Sequence, residues 1–392
     1  AFLSPFAEAA SPDAYDPAVA YTPGAVVLGN DGNAYRAAAE VKGSDPVTSA
    51  DGAWRLAHVA ADLVLDVPGR FESIADAWAF LEGARIAESA TVAIELAPGT
   101  LEHDKPLVLN HAEGSRIVIR GAGDKPEDCV LKFGGAEGII VSSGHAIVLE
   151  KLALTSSKKD GGANGLHLQQ RATATLRDCL FDNSSCTATG VSHLTATSCD
   201  VRLARAGRGG FGVQNGATAE LWKCTAVSER DAKLQGGFVA YAGGTMWCVA
   251  CRAEGWQFGF KAYTNSTMHL QQCIAEDNST GASAWFSSSV NVIDCVFASN
   301  AKVGIGAYYA IVSVIGSQLT ANTIAAEIIG SGYMQFLEKP SSISGSQIGI
   351  QAKAGGRADL NGGVVFKDVA TRLSVGKRPG DLPVEAAIIN VE

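Results

Sequence analysis

ATLRDCLFDN (residues 174–183), AELWKCTAVS (219–228), TMHLQQCIAE (267–276), VNVIDCVFAS (290–299) and VSVIGSQLTA (312–321) are variants of one phrase. Aligned on it, Cys179, Cys199, Cys224, Cys251, Cys273, Cys295, Ser317, Lys339 and Asn361 fall in line. The intervals are 20, 25, 27 and then 22 five times, and Leu152, 27 residues before Cys179, starts the series. An apolar residue usually stands three positions before the register residue, and polar or turn residues follow within five. A period near 22 is too short for two helices and carries little helical patterning. It fits one coil of short strands joined by turns, with neighbouring coils about 4.8 Å apart. The sequence therefore predicts an all-β, right-handed parallel β-helix of three sheets. Residues one period apart should lie above one another, and cysteine recurs because a small, soft side chain suits a tight interior ladder.

Working outward, FESIADAWAFLEGARIAES (71–89) places Phe71, Ile74, Ala77, Trp78, Leu81 and Ile86 at helical spacing. A helix here would cap the open end of the solenoid and protect its edge strands. TVAIELAPGTLE and SRIVIRGAG then read as strands with a glycine turn between coils. Residues 1–65 lack the period and form a separate small β module, leaving 66–392 for the helix and the solenoid. Within the module Asn30-Asp31-Gly32-Asn33 is a hairpin signal.

Composition agrees with a large, weakly charged core. Nearly half of the 392 residues are apolar, 18% are charged and 44 are glycine. A net charge of −9 argues against nucleic acid as a partner and against acidic polysaccharide, unless cations cluster locally, as at Arg202, Arg205 and Arg208. No apolar run is long enough to cross a membrane, and no signal peptide is expected in Ala1–Ala10. Nine cysteines on the repeat read as reduced core residues, including Cys248 and Cys251. His103, His111, His167, His193 and His269 show no metal spacing, so no metal and no cofactor is expected. Asn183, Asn265 and Asn278 head glycosylation-like triplets that read as turn residues, suited to left-handed backbone and stacked amides.

The repeat also stacks functional side chains. Tyr241, Tyr263 and Trp285 are spaced by 22 and 22. Phe238, Phe260, Ala240, Ala262, Ala282 and Ala284 have the opposite parity, so the aromatic ladder should point outward with Lys261 and Ser283. Exposed rings pack against the apolar faces of sugars; the alternative is a face covered by a loop or a neighbouring subunit. Trp222, Trp247, Trp256 and His269 lie in the same coils. Glu254 and Glu276 share a register position and should sit about 5 Å apart, a spacing that suits a cation site or a retaining glycosidase. The alternative is a pair of solvated turn residues beside Arg252.

Two family resemblances follow from these residues. Tyr21, Gly24-Ala25-Val26-Val27, Gly32-Asn33-Ala34-Tyr35, Pro46 and Trp54 resemble the small carbohydrate-binding modules of families 5 and 12. That resemblance implies sugar contacts at Tyr35 and Trp54. Ala37, Ala38 and Ala39 stand where exposed aromatics often follow, which leaves a structural attachment role open as well. Residues 66–392 resemble the pectin-lyase-like β-helices, on Phe71–Ile74 and Leu96–Thr100 in particular. Within that group they look most like phage tailspikes and the spikes of phage-like gene transfer agents. No pectate lyase, polygalacturonase or mannuronan epimerase motif is present, so enzymatic activity stays open. The resemblance implies a spike or adhesin that binds bacterial capsular polysaccharide. It would be a homotrimer on a virion or phage-like particle, made in the cytoplasm. The alternatives are a polysaccharide depolymerase and a purely structural spike or baseplate component.

Overall fold

The structure, a computed structural model, describes residues 12–49, 52–157, 163–203, 209–228, 236–376 and 388–390. It divides into two compact units. One comprises Ala1–Pro98, Leu109–Ala122 and His145–Val148, and the other Gly99–Val108, Gly123–Gly144 and Leu149–Glu392.

In the first unit the predicted hairpin forms. Strands Val26–Leu28 and Ala34–Ala37 pair antiparallel, with Val27 opposite Tyr35. Gly32 takes φ +80° in the turn, where a side chain would be strained. Trp54–Val59 adds to the hairpin. Tyr35 and Trp54 are fully buried and anchor a cluster of rings: Tyr35 lies 6.1 Å from Phe80, and Trp54 lies 5.6 Å from Tyr21. The helix is shorter than its periodicity predicts, spanning Ile74–Phe80. Ser73 caps it by accepting from the Asp76 amide. Gly83, at φ +73°, follows its last turn, and Ile86 lies in a strand paired with Val59. Phe71 sits before the cap and packs on Phe80 at 5.2 Å. The helix lies against Leu63–Val67, which pairs in parallel with Val92–Leu96, itself paired with Ile117–Gly121.

The second unit is a parallel solenoid, part of a winding of about 13 turns with about 23 residues each. Each coil gives one strand to each of three sheets. Phe258–Tyr263 belongs to the first sheet, Thr267–Gln271 to the second and Ile274–Glu276 to the third, before Thr280–Trp285 restarts the cycle one rung along. The corner before the third sheet uses one device repeatedly. Asp178, Ser198, Lys223, Ala250, Gln272, Asp294 and Gly316, each just before a register residue, all have φ between 50° and 57°. Left-handed backbone costs a non-glycine residue roughly 1 kcal/mol. Ladder bonds on both sides offset that cost; the Gln272 amide, for example, donates to the Ile293 carbonyl at 2.9 Å.

The interior follows the register. Cys199, Cys224, Cys251, Cys273 and Cys295 are stacked and buried, and all nine cysteines are unpaired thiols. Phe211, Phe238 and Phe260 form a second interior stack at 5.4 and 4.8 Å. Asn278, Asn300 and Asn322 form a third, in which each amide Nδ2 donates to the next Oδ1, at 3.2 and 2.9 Å. These are the stacked amides expected for the turns. Asn183 and Asn265 adopt the left-handed conformation, at φ 49° and 56°. The register departs from a fixed count at its end. Ser317 is followed by Ser341, whose hydroxyl accepts from the Ser317 amide, and Ser341 pairs with Val364. Lys339 and Asn361 are therefore not in line: the coil through Pro340 has two extra residues and the next has one more.

Candidate functional site

Alternation along the strands of the first sheet sorts side chains into two sets. Phe238, Ala240, Phe260, Ala262, Ala282 and Ala284 point inward and are fully buried. Two outward rows lie between them. In one, Tyr241, Tyr263, Trp285 and Tyr308 are consecutive rungs; in the other, Val239, Lys261, Ser283, Gly306 and Glu327 are.

The aromatic row is stacked and graded in exposure. Tyr241 is 42% exposed and lies flat on Tyr263, centroids 5.4 Å apart and planes 10° from parallel. Tyr263 and Trp285 are half-buried. Trp285 stacks on Tyr308 at 4.1 Å, and Tyr308 is 7% exposed. Phe286, 43% exposed, meets the Tyr263 ring edge-on at 5.2 Å. The Lys261 ammonium lies 4.3 Å from the centre of Phe258 and 4.9 Å from that of Tyr263. Burial lowers its pKa, because an ammonium loses hydration there, and the two ring faces supply cation–π attraction.

Farther along, the face deepens into a cleft of about 460 Å³ lined by Phe258, Thr280, Trp285, Lys302, Tyr308 and Glu327, among others. Glu327 is nearly buried and already partnered: one oxygen accepts from the Tyr308 hydroxyl at 2.9 Å and the other lies 3.3 Å from Lys353. Burial and this carboxylate push the Tyr308 hydroxyl pKa far up, so it remains a donor. Gly306 makes the arrangement feasible, since a Cβ there would lie 2.3 Å from the Tyr308 ring. Three polar atoms on this face are buried without a hydrogen-bond partner: Nε1 of Trp285, Oγ of Ser283 and, on the rung after Glu327, Oε1 of Gln351. Counting along the sequence misses Phe258, Lys302, Tyr308 and Glu327. The coil after Trp285 is one residue longer, so a step of 22 lands on inward Ala307 instead of Tyr308.

Three to four rungs back, the same sheet carries a polar cluster. His167 Nδ1 lies 3.1 Å from Glu137 Oε2, and Asn164 Nδ2 donates to both Glu137 oxygens at 3.0 Å.

Glu254 and Glu276 are neighbouring rungs of the third sheet, as their spacing predicts. Arg252 lies between them, 3.0 Å from Glu254 and in direct contact with Glu276. An internal cation thus meets both charges. Tyr35 and Trp54, expected to contact sugar, do not offer ring faces. Tyr35 is 0% and Trp54 1% exposed, the Tyr35 hydroxyl donates to Asp31 at 2.5 Å, and Trp54 Nε1 donates to the Ser44 carbonyl at 2.9 Å. In this module the spaced rings build the core. Trp256 is likewise interior, while Trp222 and Trp247 are exposed on the second sheet, Trp247 stacked on His269 at 5.4 Å. Arg202 is paired with Glu127 at 3.0 Å; Arg205 and Arg208 lie outside the described residues.

No curated protein is similar in sequence to this chain. Among solved structures it is similar to bacteriophage CBA120 tailspike protein 3, at 13% identity and TM-score 0.44, over 97% of this chain and 77% of that one. It is also similar to the A-module of a mannuronan C-5 epimerase from Azotobacter vinelandii, at 13% identity and TM-score 0.40, over 77% and 91%. A third is the catalytic domain of a GH87 α-1,3-glucanase in complex with nigerose, at 13% identity and TM-score 0.44, over 76% and 63%. The family model described as the right handed beta helix region matches residues 115–324, more than half of the sequence, and the chain belongs to that family.

Proposed function

We propose that this protein is a glycan-binding spike or adhesin whose first sheet recognises a bacterial surface polysaccharide. The observation that carries the reading is the outward row Tyr241, Tyr263 and Trp285 on consecutive rungs, Tyr241 stacked on Tyr263 and Lys261 beside it. Rungs about 4.8 Å apart stack the rings against one another, so the row offers an apolar ridge of ring edges, broken where Phe286 meets Tyr263 edge-on. Aromatic faces combine apolar area with a polar edge, which suits a ring carrying both C–H faces and hydroxyls. Attachment to a virion or phage-like particle, and assembly as a homotrimer with solenoids side by side, belong to the same proposal. Display on the particle surface after synthesis in the cytoplasm would follow. Cleavage by Glu254 and Glu276 is the weaker reading, because Arg252 already bridges the two carboxylates.

The test is incubation with surface polysaccharides from candidate hosts, followed by gel filtration. Co-elution with intact polymer is expected, and Tyr263→Ala should weaken it by roughly 3–10-fold for loss of one stacking ring. Progressive shortening of the polymer would instead establish a depolymerase. No retention of any polysaccharide would leave a purely structural spike. A light-scattering mass equal to one chain at micromolar concentration would overturn the trimer.

A further inference from the structure

We propose that the cleft beside Trp285 is a subsite for an anionic substituent of a sugar, a carboxylate or a sulfate; this rests on the glycan-binding reading of the same face. Trp285 lines the cleft, and its Nε1, which can only donate, is buried with no partner. A buried N–H left unbonded costs roughly 1–3 kcal/mol, so a turn of the indole that brings it to the cleft would be rewarded by an acceptor there. Lys302 lines the same cleft, and Lys261 lies over Phe258, one of its walls. Among the described residues neither lysine has a carboxylate within ion-pair distance. Ser283, next to Lys261 in the register, has an unpartnered hydroxyl as well.

The one acidic group in the cleft is already engaged, since Glu327 holds the Tyr308 hydroxyl and Lys353. What remains is an indole N–H and two unpaired ammonium groups beside neutral groups that donate and accept alike, the amide of Gln257 and the hydroxyl of Ser283: an excess of donors and positive charge. A neutral sugar hydroxyl both donates and accepts and gains little from such a set. A carboxylate or sulfate only accepts, and it matches the set. On a chain of net charge −9 this is a local exception, so long-range attraction would not hide it.

The experiment is affinity gel electrophoresis in dextran, carboxymethyl dextran and dextran sulfate, which share one backbone. Wild-type protein should be retarded by one or both charged polymers, at least roughly tenfold more strongly than by dextran. Retardation by the carboxymethyl form alone identifies the carboxylate, and by dextran sulfate alone the sulfate. Trp285→Phe keeps a ring and changes no charge. With folding checked by circular dichroism and melting temperature, it and Lys302→Gln should each weaken retardation roughly 3–10-fold. Equal retardation by dextran, or retardation unchanged in Trp285→Phe, overturns the inference. Indifference to all three dextrans, with a neutral host polysaccharide retained through Tyr263, overturns it and leaves the glycan-binding reading standing. Failure to retain any polysaccharide, neutral or charged, overturns both.

Discussion

At the scale of the residue, Gly306 shows how one missing side chain shapes the cleft. It occupies an outward position between Ser283 and Glu327, and the Tyr308 ring folds across it to reach the carboxylate. In Gly306→Ala the new Cβ would meet the ring 2.3 Å away, so the ring must swing off and give up its bond to Glu327. Crowding of this kind costs about 1–3 kcal/mol. The expected outcome is a lowered denaturation midpoint at unchanged secondary structure, with tyrosine environment changes in near-ultraviolet circular dichroism. Which residues reach the site was only partly legible in the sequence. Tyr241, Tyr263 and Trp285 could be stacked by counting because their coils are equal in length. Tyr308 and Lys302 could not, because one added residue lengthens that coil; the next coil is a residue shorter, so Glu327 falls back into step with Ser283, but nothing in its spacing marks it for the site. Tyr35 and Trp54 matched a spacing pattern, but spacing does not say which face of a ring is wet.

At the scale of the element, the cysteine row was legible because residue type and interval repeat together, and its chemistry follows from where it lies. Burial raises the thiol pKa of Cys179, Cys186 and Cys273 well above the ordinary value and pushes Cys248 up to about 11. Desolvation disfavours the thiolate, the reactive form. Native protein at pH 8 should therefore react negligibly with a thiol reagent, and all nine cysteines should react once it is unfolded. The same shift couples stability to pH. Above pH about 9 the unfolded chain loses thiol protons that Cys248 retains in the fold until about pH 11. Unfolding then releases protons, so stability falls as pH rises through that window, by about 2–3 kcal/mol for Cys248 alone. Denaturation midpoints measured from pH 8 to 11 check the slope. A flat profile would mean that water reaches these thiols in the native state. The helix was the least legible element. Phe71 and Ile86 continue the helical spacing beyond both ends, yet Ser73 and Gly83 bound it, and both apolar residues find the core from non-helical backbone.

At the scale of the whole molecule, a solenoid is close to one-dimensional, so each coil interacts chiefly with its two neighbours. That predicts an unusual tolerance. Ile274 and Val296 are register partners, as are Trp285 and Tyr308 on the first sheet. Deleting residues 274–295 removes one full coil and joins Cys273 directly to Val296. Cys273 then takes the corner position that Cys295 held, and Ala253 gains Phe297 as the next interior neighbour in place of Ala275. The shortened chain should fold, with a far-ultraviolet spectrum of unchanged shape and a modestly lowered melting temperature. A deletion of half that length must fail: it would carry strand residues of one sheet into the position of another and turn inward rows outward. The full-coil deletion also removes Ser283 and Trp285 while leaving Tyr241 stacked on Tyr263. It should therefore lose preference for a charged polymer and retain weaker binding to the glycan backbone. A full-coil deletion that unfolds while the half-coil deletion survives would show that the coils are not interchangeable units, and that the fold is held by long-range features a repeat does not describe.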